Sequence, residues 1–431
     1  MNSQTKTTSM TPHSPDLQRL DDILALQKYA YQRHPVPSAK ERIERLARLK
    51  RVIVKYQDQF AEAINRDYGN RAIAETKIGE LLTCLEHIKY YSKNLTDWMK
   101  PSKRQVGIIH QPAKAWVQYQ PLGVIGIIAP WNYPLLLSLG PLICALAAGN
   151  HAMIKISSAS AHFGKVLENA MSEAFPQELV AVINGGGIIS DAFCHLPFDK
   201  IIFTGSTQVG KTVMAAASQN LVPVILELGG KSPVLVHPSS DMVDVAQRIA
   251  VGKLWNAGQT CVAPDYMFLP KGKTAEFMEH FEQFVTEMYP HIRDNQDYTS
   301  IINDKQYRRL QGYLEDARER GANIIEINPQ SENVAATRKM APTVLTNVSP
   351  DMQIMQNEIF GPVLPILEYE QIDDVIEFIN SRPRPLALYY FDFDQARADY
   401  VAQRTHSGHF GLNTVLTHVA QDDLPFGGVG A

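Results

Sequence analysis

The residue best equipped for covalent chemistry is Cys261, in the stretch Asn256-Ala257-Gly258-Gln259-Thr260-Cys261-Val262-Ala263-Pro264. A thiolate is a strong nucleophile, and a cysteine among small polar neighbours differs from a packed structural one. The pattern predicts a helix before this stretch, a glycine-containing loop at it and a strand after it. Loops held by rigid elements are where nucleophiles tend to sit. The other cysteines, Cys84, Cys144 and Cys194, have apolar helical neighbours, so burial in the core is expected for them. No Cys-x-x-Cys pair occurs, which argues against a disulfide framework and against a bound metal, and suits a reducing compartment.

Three further stretches carry polar groups at strand ends. Glu227 closes an apolar run and precedes Leu228-Gly229-Gly230-Lys231. At the carboxyl edge of an open sheet such a carboxylate reaches the ligand side; the bland alternative is a surface pair with Lys231. Asn132 lies in Pro130-Trp131-Asn132-Tyr133-Pro134, between a strand and a helix. Its amide is placed to donate to an oxyanion, or else to cap the helix that begins near Pro134. Gly205-Ser206-Thr207-Gln208-Val209-Gly210 follows a strand and opens a helix, a place for a phosphate. The ordinary Gly-x-Gly-x-x-Gly fingerprint is not found in the right context.

These groups need elements to hold them. Over 17–99 apolar residues recur at helical spacing, most clearly Ile43, Leu46, Leu49, Ile53 and Tyr56. An extended, hairpin-like segment is expected over 106–120, with Val117 and Tyr119 alternating against Gln118 and Gln120. Strands then alternate with helices: strands at 123–129, 152–156, 179–183, 200–204 and 224–228, helices at 135–148, 161–175 and 209–218. Uniformly apolar strands separated by helices imply a doubly wound parallel sheet covered on both faces. A second α/β lobe is expected after Gly229-Gly230, with strands at 234–236, 266–269, 323–327, 343–345, 363–367 and 386–391. Its helices are expected at 243–254, 274–288, 305–320 and 373–379.

Bulk composition agrees with this plan. A chain of 431 residues exceeds what one core supports, so two or three packed lobes are expected. Hydrophobic residues make up 45% and charged ones 20%, as in ordinary globular proteins, and a net charge of -4 offers no basic face for nucleic acid. The first fifteen residues read as a loose polar tail without a signal-peptide core. The apolar stretches 122–129 and 135–149 are too short to span a bilayer, so a soluble, cytoplasmic protein is expected.

Taken together, five motifs in order resemble the aldehyde dehydrogenase superfamily: Pro130-Trp131-Asn132-Tyr133-Pro134, Phe203-Thr204-Gly205-Ser206, Glu227-Leu228-Gly229-Gly230-Lys231, Gly258-Gln259-Thr260-Cys261 and Glu358-Ile359-Phe360-Gly361-Pro362. Cys261-Val262-Ala263-Pro264-Asp265-Tyr266, Ile301-Ile302-Asn303 and the run from His418 to Gly430 resemble the class 3 branch, and within it the bacterial coniferyl aldehyde dehydrogenases. The resemblance implies an NAD(P)-binding domain over 1–105 and 122–228, a catalytic domain over 229–412 and a small bridging β segment over 106–121 and 413–431. It implies oxidation of an aromatic or medium-chain aldehyde through a thioester on Cys261. Asn132 would hold the oxyanion and Glu227 would activate the hydrolytic water. Lys155 would bind the adenosine ribose, and Gly205, Ser206 and Gly210 the pyrophosphate region. Glu358 would anchor the nicotinamide ribose, with Phe360 beside the ring.

Two departures stand out. Many NAD-using members carry a glutamate where this chain has Ser158, so NADP is expected alongside NAD. The chain stops at Gly430-Ala431, where relatives continue with a further strand. Either the polypeptide is truncated or its tail is missing from this sequence; if it truly ends at Ala431, a homodimer weaker than in full-length relatives and a more open substrate entrance are expected. The competing readings are an acylating, coenzyme A-dependent dehydrogenase or a semialdehyde phosphate reductase, a cysteine hydrolase without redox cofactor, and a catalytically impaired truncated homologue.

Overall fold

In a computed structural model describing residues 15–430, the apolar stripes at helical spacing become the helices Pro15–Arg33, Ala39–Tyr68 and Thr83–Trp98. The expected N-terminal tail, Pro15 apart, lies outside the described residues, as does Ala431. Ser38 starts the second helix with a reciprocal cap: its Oγ accepts from Glu41 N at 3.3 Å, and Glu41 Oε2 accepts from Ser38 N at 2.7 Å. Gly69, left-handed at φ 80°, ends it. A short helix, Ile73–Thr76, and a π-helical turn, Lys77–Leu82, lead into the third.

The hairpin is shifted from its expected place. Strands β1 (Ser102–Arg104) and β2 (Ala115–Val117) pair antiparallel, with Ser102 opposite Val117 and Arg104 opposite Ala115. The first strand therefore precedes the 106–120 segment, and Tyr119 lies outside both strands. A tight turn at Ile108–His110 fills the interior, and Pro112, which lacks an amide donor, keeps pairing from running through it.

Five parallel strands follow: β3 (Val124–Ile128), β4 (His151–Lys155), β5 (Val180–Ile183), β6 (Lys200–Thr204) and β7 (Val224–Glu227), in the spatial order β5-β4-β3-β6-β7. Alternate side chains serve opposite faces. Ile125, Ile127, Ala152 and Ile154 pack with the helices Ala39–Tyr68, Pro134–Ala148 and Ala161–Ala174. Val124, Met153, Ile201 and Phe203 pack with the helices Pro15–Arg33 and Thr207–Ser218. Each fully buried Val, Ile or Leu contributes about 1.5–3 kcal/mol, so both faces demand apolar residues and the strands read as continuous runs. The order reverses between β3 and β6. Ligands of open α/β sheets bind outside the carboxyl ends at such a reversal, and Asn132 and Ser206 follow these two strands.

The second sheet has seven strands: β8 (Pro233–Val236), β9 (Tyr266–Pro270), β10 (Asn323–Glu326), β11 (Thr343–Thr346), β12 (Val363–Tyr369), β13 (Ala387–Phe391) and β14 (His409–Leu412). Their order is β10-β11-β12-β9-β8-β13-β14, parallel throughout except for β10. Strand β6 and the helix Thr274–Met288 coincide with the sequence periodicity. Strand β14 and the helices Ile188–His195 and Gln395–Arg404 have no counterpart among the expected elements. The last of these helices buries only Ala398 and Val401, and the strand carries a glycine, so neither shows a strong apolar period. No helix among the described residues is long and apolar enough to cross a membrane.

Candidate active site

The nucleophile loop is built under strain. After the helix Met242–Leu254, Asn256 (φ 52°, ψ 31°) and Ala257 (φ 50°, ψ 38°) are both left-handed, at about 1–2 kcal/mol per non-glycine residue. Gly258 follows at φ 72°, and a Cβ there would lie 2.3 Å from Gly361 O. Buried Gln259 holds this turn: its Nε2 donates to Asn256 O at 3.0 Å and Ser300 O at 3.1 Å, and its Oε1 accepts from Ile302 N at 3.0 Å. Cys261 emerges from it as a partly exposed free thiol. Burial pushes that thiol up to about 12, with the carboxylates of Glu358 and Glu227 adding to the shift. Of the other cysteines, Cys84 and Cys194 are buried as expected, but Cys144 is exposed, its sulfur 2.9 Å from Tyr91 Oη. The helix Pro134–Ala148 is apolar on most of its circumference, so apolar neighbours do not reveal which of its faces is covered.

Asn132 meets this loop. Its side-chain Nδ2 donates to Gln259 O at 3.3 Å, two residues before Cys261. Its carbonyl accepts from Tyr68 Oη and Arg71 Nη1, each at 3.0 Å, and from Asn256 Nδ2 at 3.2 Å. Asn132 does not cap the following helix, whose cap position is Tyr133 and has no side-chain bond. Glu80 does that work instead: its Oε2 accepts from Leu135 N at 2.8 Å and Leu136 N at 3.1 Å.

Glu227 ends β7 with Oε2 buried and without a hydrogen-bond partner, and burial pushes its carboxyl above the usual range. The surface pair with Lys231 does not form. Lys231 pairs with Asp265 and donates to Ile354 O and Asn357 O, both at 2.8 Å. Gly427 closes over Glu227, since a Cβ there would sit 3.5 Å from its Oε1. Glu358 accepts from Gly230 N at 3.3 Å, and burial, then the charge of Asp265, pushes it up to about 8. A side chain at Gly229 would overlap Glu358 Oε2, at 2.1 Å. Arg309 clamps the carbonyls of Glu358 (3.2 Å) and Ile359 (2.7 Å), and the Phe360 ring stands edge-on to Trp131 at 5.4 Å.

Comparison with known proteins shows the family of the chain. A profile of the aldehyde dehydrogenase family matches residues 1–431. The chain belongs to the aldehyde dehydrogenase family. It is 49% identical over 415 residues to a probable coniferyl aldehyde dehydrogenase of Pseudomonas aeruginosa, covering 96% of this chain and 86% of that one. Its fold is similar to that of Staphylococcus aureus AldH in a substrate-bound state, with a TM-score of 0.90, 37% identity, and coverage of 95% and 88% of the two chains. It is also similar to a Mycobacterium tuberculosis aldehyde dehydrogenase complexed with NAD+, with a TM-score of 0.86, 26% identity, and coverage of 96% and 85%.

As an aldehyde dehydrogenase the protein is an NAD(P)-dependent oxidoreductase, and its residues suit that cofactor. The helix Thr207–Ser218 begins at Ser206 with no side-chain cap, leaving its first amides free for an anion. Gly205 precedes it, and Gly210 lets it close on the end of β7, where a Cβ would lie 2.6 Å from Leu228. Lys155, at the carboxyl end of β4, is buried and donates to Ile156 O at 2.7 Å and Gly185 O at 2.5 Å; burial pushes it down to about 8. Ser158 faces the same glycine loop, 3.1 Å from where a Cβ on Gly186 would be. A crevice of about 520 Å3 lined by Thr207, Gly229, Gly230 and Glu358 lies on the carboxyl side of the sheet.

Sequence reasoning passed over Arg71, Glu75, Glu80 and Arg309, all of which hold the site. The first three are buried charges on one short stretch just past a glycine-ended helix. That clustering of charge without an amphipathic period is the one sequence signal that separates them from a solvated face.

Proposed function

We propose that the protein oxidises coniferyl-type aromatic aldehydes, or medium-length apolar ones, to carboxylic acids through a thioester on Cys261. One arrangement carries this reading. The Asn132 amide bonds the nucleophile loop two residues before Cys261, and Glu227 presents a buried, unpartnered oxygen close enough for its charge to act on the thiol. The 49% identical relative supports the substrate class.

The Cys261 thiol gives up its proton to solvent, and the thiolate sulfur bonds the aldehyde carbon while the carbonyl electrons move onto oxygen. That oxyanion takes hydrogen bonds from Asn132 Nδ2 and the Cys261 N–H. A bound nicotinamide supplies the acceptor for the hydride. The resulting thioester is cleaved when Glu227 takes a proton from water; the hydroxide bonds the acyl carbon and the C–S bond breaks. Lys155 would hold the adenosine ribose, Gly205, Ser206 and Gly210 the pyrophosphate, and Glu358 the nicotinamide ribose, with Phe360 beside the ring. With Ser158 in place of a carboxylate, a 2′-phosphate meets no fixed negative charge, so NADP is accepted with NAD.

In this reading the five-stranded sheet binds the cofactor and the seven-stranded sheet carries the nucleophile. The hairpin β1–β2, with Ile108, Ile109 and Trp116 all more than half exposed, joins two copies in a cytoplasmic homodimer. An acylating enzyme has less use for a water-activating carboxylate at Glu227. The test is a panel of aldehydes with NAD and NADP, read by reduced-nicotinamide absorbance, against Cys261→Ala. That variant should bind cofactor and form no acid; turnover by it would overturn the mechanism.

A further inference from the structure

Behind Asn132 lies a wholly buried ion pair that the proposed reaction does not use. Arg71 Nη1 and Glu80 Oε1 are 2.8 Å apart, with both side chains 0% exposed. The guanidinium sits beside the rings of Tyr68 and Tyr133, 5.2 and 5.0 Å from their centroids. Buried ion pairs are commonly no more stabilising than apolar residues of the same volume. Arg71 Nε and Nη2 also find no acceptor, an arrangement an apolar side chain would avoid. Fold stability alone therefore gives little reason for a charge here, whereas directional bonding does.

We propose that Arg71 is a positioning residue that fixes the main chain of Asn132 against the nucleophile loop, so that the Asn132 amide and the Cys261 N–H converge on one oxyanion. This rests on the oxyanion role of Asn132 in the proposed reaction.

Arg71 shares the Asn132 carbonyl with Tyr68 Oη and Asn256 Nδ2. A carbonyl with two lone pairs facing three donors is saturated, and the peptide from which the Asn132 side chain departs cannot rotate without breaking them. The next residue is tied to the residue before Cys261: Tyr133 Oη and Thr260 Oγ1 are 2.6 Å apart. Glu80 holds the two amides that open the following helix. On the opposite side Glu75 Oε2 accepts from Asn256 N and from Thr299 Oγ1, each at 3.1 Å. One cluster of charges thus grips both 132–136 and 256–260.

The decisive variant is the double substitution R71M/E80Q. It leaves an acceptor for the amides of Leu135 and Leu136 and strands neither partner of the Arg71–Glu80 pair as a lone buried charge. Expected are a folded protein by circular dichroism, an unchanged Kd for reduced nicotinamide by fluorescence, and a little-altered KM for aldehyde. Both kcat and the hydride burst should fall about 10²-fold, the size of a misplaced donor. R71K should recover part of the burst. Tyr68→Phe, which removes the Oη bonds to Asn132 O and Asn256 Nδ2 and no charge, should slow the burst about tenfold. A burst within about threefold of wild type in R71M/E80Q overturns the proposal. If that variant fails to fold, an unaltered burst in Tyr68→Phe overturns it. The parent reading fails differently, by turnover in Cys261→Ala.

Discussion

The two sides of Cys261 are built on opposite principles. On the Asn132 side the groups that set geometry are held by several bonds each, even though Arg71 Nε and Nη2 and Asn256 Oδ1 find no partner: the Asn132 carbonyl has three donors, Gln259 uses both ends of its amide, and Glu75 and Glu80 each accept two hydrogen bonds. On the other side Glu227 keeps a buried oxygen without a partner, and Glu358 is held mainly by one long contact to Gly230 N at 3.3 Å. Charge develops at the oxyanion with no time to reorganise its donors, so that side must be set in advance. Water, cofactor and product must come and go past the carboxylates, which calls for polar capacity left unused until a ligand arrives.

The largest effect should divide these two sides kinetically. Glu227→Gln is expected to leave the first-turnover hydride burst while steady-state acid formation falls by about 10²–10⁴-fold. Asn132→Ala should slow the burst itself by about 10²–10³-fold. Rapid-quench or stopped-flow absorbance distinguishes them, and a lost burst in Glu227→Gln would place that residue in the attack as well as the hydrolysis.

A smaller effect tests the electrostatics directly. The charges of Glu358 and Glu227 help to raise the Cys261 thiol, Glu358 the more strongly of the two. Glu358→Gln should therefore enlarge the thiolate fraction and speed alkylation by iodoacetamide at pH 9 several-fold, without cofactor. An unchanged or slower rate would show that Glu358 does not act on the thiol through its charge.

The smallest effect concerns stability. Burial holds the Glu75 carboxyl up to about 7 against an ordinary 4.5. The folded state thus keeps a proton that the unfolded chain has lost. Stability is fully present below pH 4.5 and falls as pH rises to about 7, after which the loss is complete. Glu75→Gln keeps acceptors for Asn256 N and Thr299 Oγ1 without the charge. It should be more stable than wild type at pH 8, by on the order of 2 kcal/mol, with the difference vanishing near pH 5. Equal denaturant midpoints at pH 8 would contradict this.

The same contrast explains what was legible in the sequence. Glu227 and Asn132 stand at or just past the carboxyl ends of strands whose apolar runs are plain, Cys261 stands in a small polar loop between a helix and a strand, and the five-stranded sheet and all of the second sheet but β14 follow from those runs. The ligand side of an open sheet is fixed by topology, so polar residues there announce themselves. The bracing side is different. Arg71 and Glu80 look like a solvated helix face until residues near 132 and 256 are folded against them, contacts with no local signature. Lys231 was an apparent partner for Glu227 by proximity in sequence, yet Asp265, across the sheet, takes it. Cys144 looked buried because its neighbours are apolar, but one face of an apolar helix can still be open. The hairpin was displaced because alternation of Val117 with Tyr119 shows a strand without showing its partner.

The brace also gives the molecule a history during synthesis. The Glu75 carboxylate waits for Asn256, 181 residues later, and for Thr299, 224 residues later. The five-stranded sheet is complete once β7 has emerged, so it can fold while Glu75 still lacks its bonding partners. An unpaired charge is not buried willingly, and so the stretch around 70–82 should stay hydrated and proton-exchangeable on the ribosome until the second sheet arrives. The order in which the chain is made thus places completion of the oxyanion side, and with it any reactivity of Cys261, among the last events of folding.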